Sequence, residues 1–206
     1  GLGDVYKRQA PFLHWDNVPA AERLEDATGL PVVLTHDLTA LAEAENWFGI
    51  GRENERFIVI TVGVGTGFAL VINHRVITDE NTGFGTITDP ILGPDWPNFT
   101  QPRTLTERDL TRAARLVGRF AGTAAAFTMP QGVVISGEGA HLLAGHEEEL
   151  DAGIAEVRHH SASGLDIHLR EHDFAFWARG AATAAIQWVL GHAGPLSSRD
   201  TVEETS

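Results

Sequence analysis

The glycine-rich stretch within residues 57–72 contains the residue types that a phosphate-binding loop needs. Its sequence, FIVITVGVGTGFALVI, is an apolar β-branched run, a loop at 63–67 and a second apolar run. Glycines in such a turn permit positive φ and let a ligand reach backbone N–H groups, which is how a loop cradles phosphate. A plain β-hairpin whose turn requires glycine has the same pattern. Both interpretations predict a strand, a tight turn and a strand.

A carboxylate, Asp37, follows the apolar segment 30–35, which predicts a buried strand. The C-terminal edge of a strand faces the crevice in which α/β proteins bind ligands. Phosphoryl transfer needs a carboxylate to orient the attacking hydroxyl, so Asp37 is a candidate ligand contact or base. The alternative is that Asp37 only caps the helix predicted from residue 38. The neighbouring His36 could hydrogen-bond a ligand hydroxyl or lie in a solvated loop.

A second small-residue loop, Gly137-Glu138-Gly139, follows the predicted strand 133–136 and precedes a predicted helix. The N-terminus of a helix favours an anion. Glu138 would repel phosphate there unless it points away, and a strand-to-helix turn requires small residues in any case. The sequence therefore leaves a nucleotide contact and a structural turn open.

The elements that would position these residues alternate along the chain in the manner of an α/β protein. The predicted helices cover residues 20–28, 38–48, 107–127, 140–158 and 176–190, and the predicted strands outside the hairpin cover 30–35, 133–136 and 165–169. Trp177 and Trp188, on the last helix, are predicted to fill core rather than to bind a ligand.

The composition excludes several classes of protein. The formal net charge is −13, which argues against binding nucleic acid or an anionic membrane by bulk electrostatics. The chain has no cysteine, so disulfides and thiolate zinc sites are excluded. The ten histidines are scattered, and no metal site is expected. No apolar stretch reaches the roughly 18 to 20 residues of a membrane span. We therefore expect a cytoplasmic protein without membrane contact.

The two ends of the chain are expected to lie outside the folded part. Residues 4–9, DVYKRQ, read like the translation of a transposon end used in sequencing libraries, so residues 1–9 are interpreted as an artefact. The protein is then expected to begin near Ala10, as part of a longer chain whose N-terminal region is missing. Residues 193–206 are predicted to be a disordered tail.

Several short motifs follow one another in a fixed order between residue 10 and about residue 192. They are Pro11-Phe12-Leu13, Trp15-Asp16-Asn17-Val18-Pro19, Gly29-Leu30-Pro31-Val32, His36-Asp37, Ala42-Glu43, Gly63-Val64-Gly65-Thr66-Gly67 and Val134-Ile135-Ser136-Gly137-Glu138-Gly139. In this order the motifs resemble the ROK family, which contains sugar kinases and sugar-responsive transcriptional repressors on an actin-like, ribonuclease-H-like ATPase fold. The segment 173–182 is most similar to the end of actinobacterial ROK regulators.

The resemblance implies a domain arrangement of two lobes. Residues 10–44 correspond to a remnant of the first lobe. Residues 45–192 correspond to a second lobe with a mixed sheet flanked by helices, and its last helix returns to the first lobe. The helix from Glu107 could contribute to self-association, which is common in the family.

The resemblance also implies roles for individual residues. In a family kinase, the aspartate at the place of Asp37 is the base that accepts the proton of the sugar hydroxyl. His36 stands where the family usually has asparagine, a sugar contact. The residues that match the second phosphate loop are Gly65, Thr66 and Gly67. The residues that match the adenosine-side loop are Gly137 and Gly139.

This chain departs from the family at the sugar and zinc positions. When the sequences are aligned on Gly85, Thr86 takes the place of a sugar-binding glutamate. Asp89 takes the place of a histidine that binds both sugar and zinc. The zinc cysteines have no counterpart, so no zinc is expected, and Phe68 stands where the phosphate loop usually has a further glycine. Because positioning dominates phosphoryl-transfer catalysis, these losses would damage a kinase.

A regulator requires only differential affinity for an effector in two conformations. We therefore favour the sugar-binding and oligomerisation portion of a ROK regulator of carbohydrate metabolism, expected to be a homo-oligomer. DNA binding would belong to a missing N-terminal winged helix-turn-helix domain. The first alternative is a glucokinase-type sugar kinase that uses Mg-ATP and Asp37 as base. The second is a scaffold that dimerises and binds no ligand.

Overall fold

The computed structural model describes residues 9–10, 15–16, 18–63, 66–78, 85–87, 92–93, 96–97, 99 and 102–192. In chain order the elements are β1 (Gln9–Ala10), β2 (Trp15–Asp16), α1 (Ala20–Thr28), α2 (Asp37–Phe48), β3 (Arg56–Val62), β4 (Thr66–Ile72), β5 (Arg75–Ile77), β6 (Gly85–Ile87), α3 (Glu107–Thr128), β7 (Gly132–Ser136), α4 (Glu147–Val157), β8 (Ile167–Leu169) and α5 (Phe174–His192). None of the helices in this part of the chain is long and apolar enough to cross a membrane.

One mixed sheet organises the described residues, in the strand order β5-β4-β3-β7-β8, with β6 paired to β4. The hairpin β3–β4 is antiparallel, and its register runs from Arg56 opposite Ile72 to Val62 opposite Thr66. The pairs β3–β7 and β7–β8 are parallel. The two predicted strands are therefore confirmed as a hairpin, but Thr66 and Gly67, predicted to lie in the loop, belong to β4.

Residues 57–60 of strand β3 are all apolar and buried, as expected for a strand that is covered on both faces of the sheet. Alternate side chains point to opposite faces. Ile58 and Ile60 are fully buried in a cluster with residues of α3 and β7, such as Val117. Phe57 and Val59 are fully buried in a second cluster, which contains Leu41 of α2. The molecule is thus an α/β protein in which helices flank a mixed sheet.

Helices α3 and α4 pack closely on one face of the sheet. Helix α3 begins with a capping box, in which the Thr106 side chain accepts from the Asp109 N–H and the Asp109 carboxylate accepts from the Thr106 N–H. A Cβ at Gly118 would collide with the carbonyl oxygen of Leu150. The glycine therefore allows the two helix backbones to approach.

Helices α2 and α5 pack on the opposite face. A Cβ at Gly180 of α5 would collide with the carbonyl oxygen of Ala40. The Gln187 amide donates to the buried Glu43 carboxylate at 3.0 Å. Burial raises the pKa of Glu43, while hydrogen bonds to Gln187 and Asn46 act in the other direction. The last helix therefore returns to the helix that begins at Asp37. The lobe boundary near residue 44 stays a prediction.

The strand predicted at residues 30–35 is wrong. In the structure, residues 31–36 belong to no helix or strand, and Leu30 is 65% exposed. A strand requires a neighbour to pair its N–H and C=O groups, and no described strand lies beside this segment. The Val32 N–H instead donates to the Glu25 carboxylate at 3.0 Å.

The continuous helix predicted at residues 140–158 is also wrong. A short 3₁₀ turn, Ala140–Leu143, comes first, and α4 begins only at Glu147. Gly145 between them has φ +89°, a left-handed conformation that interrupts a helix. The predicted helices at 20–28, 38–48, 107–127 and 176–190 are confirmed within two residues at each end. The predicted tail, 193–206, lies outside the described residues.

Candidate functional site

A cleft of about 650 Å³ lies where three parts of the chain meet. Its walls are the start of α2, the loop after β7, and the segment that leads into α5. The lining residues are Thr35, His36, Asp37, Ala40, Gly137, Glu138, His141, Glu171, His172, Phe174, Trp177, Ala178 and Ala181. The volume lies in the range typical of small-molecule sites. The structure thus brings together two predicted regions, at 36–37 and at 137–138, that are a hundred residues apart.

Asp37 is the first residue of α2, and its side chain is exposed in the cleft. One carboxylate oxygen accepts a hydrogen bond from the Leu38 N–H at 2.7 Å. The N-cap position belongs to His36, whose side chain makes no capping bond. Asp37 therefore stabilises the start of the helix from inside its first turn, and it also presents a carboxylate to the cleft.

His36 is a half-buried neighbour of Asp37 in the cleft wall. Burial lowers the pKa of His36, and the charge of Asp37 acts in the opposite direction. Since the ordinary value is 6.5, the imidazole is mainly neutral at pH 7. A neutral imidazole has one donor and one acceptor, which suits a hydroxyl group.

The loop after β7 has structural reasons for its glycines. Gly137 has φ +99°, and a Cβ on it would lie 2.6 Å from the Val62 carbonyl oxygen. The Gly139 N–H donates to the same oxygen at 2.8 Å, and the ring of Phe99 packs against Gly139. The 3₁₀ turn that follows, Ala140–Leu143, is too short to present the helix N-terminus that would favour an anion at this loop. Gly137 lines the cleft, whereas Gly139 is buried behind it.

Some of the hairpin residues that were candidates for phosphate contact make hydrogen bonds and packing contacts within the fold. The Gly67 N–H donates to the Thr61 hydroxyl at 3.0 Å. A Cβ on Gly67 would lie 2.7 Å from the Leu38 side chain, so the glycine allows α2 to pack on β4. The Thr66 hydroxyl is buried and has no hydrogen-bond partner in the described part of the chain. Gly65 lies outside the described residues.

The two remaining predicted sugar positions are Thr86 and Asp89. Thr86 belongs to β6, whose backbone pairs with β4, with Thr86 opposite Gly67. Asp89 lies outside the described residues. The roles of Thr86 and Asp89 stay predictions.

Sequence reasoning missed the wall that α5 contributes. Phe174, Trp177, Ala178 and Ala181 recur at helical spacing and line the cleft. Trp177 also packs against the cluster between α2 and the sheet, so it fills core as predicted and in addition borders the cleft. The spacing i, i+3, i+4, i+7 is a signal that could have shown the shared face.

A buried polar network adjoins the cleft at His172. The imidazole Nε2 lies 2.7 Å from one oxygen of Glu45, and Nδ1 lies 2.9 Å from the Ser136 hydroxyl. The second Glu45 oxygen accepts from the Arg170 guanidinium at 3.1 Å and from the Ile50 N–H at 3.0 Å. Glu45 and Ser136 are fully buried. Sequence reasoning did not predict this network, because its members are separated by up to 127 residues.

The ionisation of Glu45 follows from these contacts. Burial alone would raise the pKa of Glu45. Hydrogen bonds from His172 and the Ile50 N–H, together with the positive charge of Arg170, outweigh burial and hold the pKa below its ordinary value of 4.5. Glu45 is therefore a buried carboxylate that stays ionised at neutral pH.

The charges of the cleft distinguish between ligand classes. Its described lining has three carboxylates and three imidazoles, and neither lysine nor arginine. Phosphate groups favour cations and free backbone N–H groups, but the N–H groups of Gly67 and Gly139 are already bonded. The Thr66 hydroxyl has no hydrogen-bond partner among the described residues and could donate to a phosphate. The described residues thus do not fit the phosphates of Mg-ATP, and they suit a neutral ligand with several hydroxyl groups.

The sequence profile of the ROK family matches residues 4–88. Over 86 residues, 42% of this chain and 27% of the relative, the chain is 30% identical to a glucokinase of Thermotoga maritima. Over 67 residues, 32% of this chain and 17% of the relative, it is 33% identical to the xylose repressor of Caldicellulosiruptor bescii. The matches thus span less than two thirds of the length of these curated relatives. The predicted resemblance to the ROK family is confirmed.

The fold is similar to that of a ROK family glucokinase from Streptomyces griseus, solved with glucose and AMPPNP. The TM-score is 0.68 at 17% identity, and the match covers 88% of this chain and 78% of that chain. The predicted fold class, α/β of the actin-like ATPase type, is confirmed. Because family members include both kinases and repressors, the family alone does not decide the function.

Proposed function

We propose that this chain is the sugar-binding and oligomerisation part of a cytoplasmic ROK-type regulator of carbohydrate metabolism. The observation that carries the proposal is the cleft at Asp37. It combines hydroxyl-binding side chains with a negative charge. DNA binding is assigned to a further domain of the whole protein, because this chain has a net charge of −13.

The cleft supports binding of a neutral sugar. The Asp37 carboxylate accepts hydrogen bonds from hydroxyl groups, and the neutral His36 both donates and accepts. The Trp177 side chain and the alanines of α5 supply an apolar surface for the faces of a sugar ring. A ligand that carries phosphates would instead place anions beside Glu138 and Asp37.

A glucokinase-type kinase is the second candidate, and one observation favours it. Asp37 and the Gly137 loop line the same cleft. The resemblance assigns these two regions to the catalytic base and to the adenosine side. Such a kinase would use Mg-ATP, but the described loops do not fit its phosphates.

The decisive experiment is calorimetric titration of the chain with D-glucose, D-xylose and methyl β-D-glucoside, combined with an assay of ADP release from Mg-ATP. We expect one sugar to bind without ADP release, and Asp37→Asn to weaken that binding at least tenfold. The matched control is Asp151→Asn, an exposed aspartate of α4 that does not line the cleft. It should leave the affinity unchanged.

The other outcomes point to the alternatives. ADP release that depends on sugar and disappears in Asp37→Asn would replace the regulator by the kinase. A chain that dimerises but responds neither to these sugars nor to nucleotide would support the ligand-free scaffold. Sequencing the source locus upstream of residue 10 is an independent test, since a basic helix-turn-helix segment there would support the regulator.

A further inference from the structure

We propose that His172 is a positioning residue that holds the three walls of the cleft in one arrangement. Each wall contributes one member of the buried network. Glu45 belongs to α2, the helix that begins with Asp37. Ser136 ends β7 and directly precedes Gly137. His172 itself lies between Glu171 and the start of α5, and it lines the cleft.

Both ring nitrogens of His172 bond to buried partners. The ionised Glu45 carboxylate can only accept, so Nε2 carries the proton toward it at 2.7 Å. Nδ1 lies 2.9 Å from the Ser136 hydroxyl, which donates to a bare nitrogen or accepts from a protonated one. The imidazole therefore connects α2 to the end of β7 through two directional bonds.

Several bonds hold the Glu45 side chain in place, so it provides a fixed partner for His172. Its carboxylate accepts from Arg170 and from the Ile50 N–H in addition to His172. A Cβ at Gly49 would collide with the Glu45 carboxylate, so this glycine leaves room for the side chain to fold back. Because Glu45 lies eight residues after Asp37, roughly 12 Å along the same helix, its position is rigidly related to that of Asp37.

The segment that carries His172 depends on the network. The Arg170 N–H donates to the Ile135 carbonyl, which extends the pairing of β7 with β8 by one residue. Glu171 and His172 line both the cleft and a second hollow of about 670 Å³, which Arg170, Asp173 and Phe176 also line. Besides the bonds of His172 and Arg170, this segment is positioned by the ring contact of His172 with Phe176 and by the Phe176 N–H, which donates to the Asp173 carboxylate at 2.8 Å.

Because the network of His172 is buried, its hydrogen bonds are expected to form together or not at all. The His172 side chain is only 5% exposed. A buried polar group that loses its partner is costly, since water cannot replace the bond. The surface pair of His168 and Asp166, at 3.0 Å, has similar chemistry but connects residues two apart and is exposed to solvent. It therefore provides a matched control.

Hydrogen exchange measured by mass spectrometry on the whole chain tests the proposal without any ligand. Ser136→Ala changes β7, and we expect at least tenfold faster exchange on the other side of the imidazole, at residues 170–177. His172→Gln should accelerate exchange at residues 137–143, and the double variant should resemble His172→Gln alone. His168→Gln should change neither region.

A merely structural role gives a different result. If Ser136→Ala or His172→Gln accelerates exchange equally in α3 and α4, or only at the substituted position, the proposal is wrong. Should His172→Gln fail to fold, Ser136→Ala still decides between these outcomes.

Ligand affinity is the second readout, and it alone rests on the proposed function. For whichever of D-glucose, D-xylose and methyl β-D-glucoside binds the unsubstituted chain, Ser136→Ala and His172→Gln should weaken binding about tenfold. His168→Gln should bind normally. Equal affinities in all variants would overturn the positioning role while the proposed function stands. If no sugar binds the unsubstituted chain, the proposed function fails and hydrogen exchange still decides the positioning role.

Discussion

The two faces of the sheet are built in different ways. On the face of α3 and α4, described buried side chains such as Val117 and Leu143 are apolar, and the charged pairs of these helices lie at the surface. On the face of α2 and α5, Glu43, Glu45 and His172 are buried among the apolar residues. The cleft opens on the second face. One face therefore supplies stability by packing, and the other keeps buried charges that position a site.

The largest expected effect comes from the buried charges. Glu45→Ala would leave His172 and Arg170 without their shared carboxylate, and breaking a buried ion pair costs about 3 kcal/mol. We expect the free energy of unfolding, measured by urea denaturation, to fall by about that amount. Glu53→Ala, at an exposed glutamate outside the network, is the control. Equal losses in the two variants would mean that the network does not stabilise the fold.

The second largest effect on stability is expected on the face of the sheet that α3 and α4 cover. Gly118→Ala would normally stabilise a helix by about 1 kcal/mol, but here the new methyl group collides with the Leu150 carbonyl. We expect a net loss of about 2 kcal/mol in urea denaturation. Gly164→Ala, where a Cβ has open space, should change stability little. A neutral Gly118→Ala would show that α3 and α4 are not tightly packed.

The contributions of the two buried glutamates of α2 to stability should change with pH in opposite directions. The pKa of Glu43 is raised by burial, so its contribution to stability falls as pH rises above 4.5. The pKa of Glu45 is lowered by its partners, despite burial, so its contribution is lost as pH falls below 4.5. Melting temperatures of the variants Glu43→Gln and Glu45→Gln, measured between about pH 3 and about pH 7, test these opposite directions.

Relative to the unsubstituted chain, Glu43→Gln should gain stability toward neutral pH. Glu45→Gln should lose stability over the same range. Parallel pH profiles for the two variants would contradict the assignment of opposite pKa directions.

The smallest effect on stability is expected at the solvent-exposed surface of α3 and α4. Arg115 forms ion pairs with Glu149 and Glu156 of α4, and all three side chains are substantially exposed. Surface ion pairs contribute little. Arg115→Ala should leave the melting temperature within experimental error, in contrast to Glu45→Ala. A clear decrease would show that this face also depends on charge.

Local pattern was sufficient to predict most of the secondary structure. The helix at 20–28 ends at Gly29, which adopts the left-handed conformation, and the strands predicted on either side of the glycine-rich loop pair with each other. The segment 30–35 has the composition of a strand, but no described strand pairs with it. The predicted helix at 140–158 is interrupted because Gly145 takes a positive φ. Apolar composition does not specify the pairing of a strand, and sequence alone does not fix the φ of a glycine.

The sequence by itself determined the family resemblance and the alternation of helices and strands, and it singled out Asp37 as a candidate site residue. These features depend on residue types and short spacings. Only the tertiary structure brought Asp37, Gly137 and His172 to one cleft and placed Glu45 beside His172. Those contacts depend on the packing and burial of distant segments, which the local sequence around a residue does not specify.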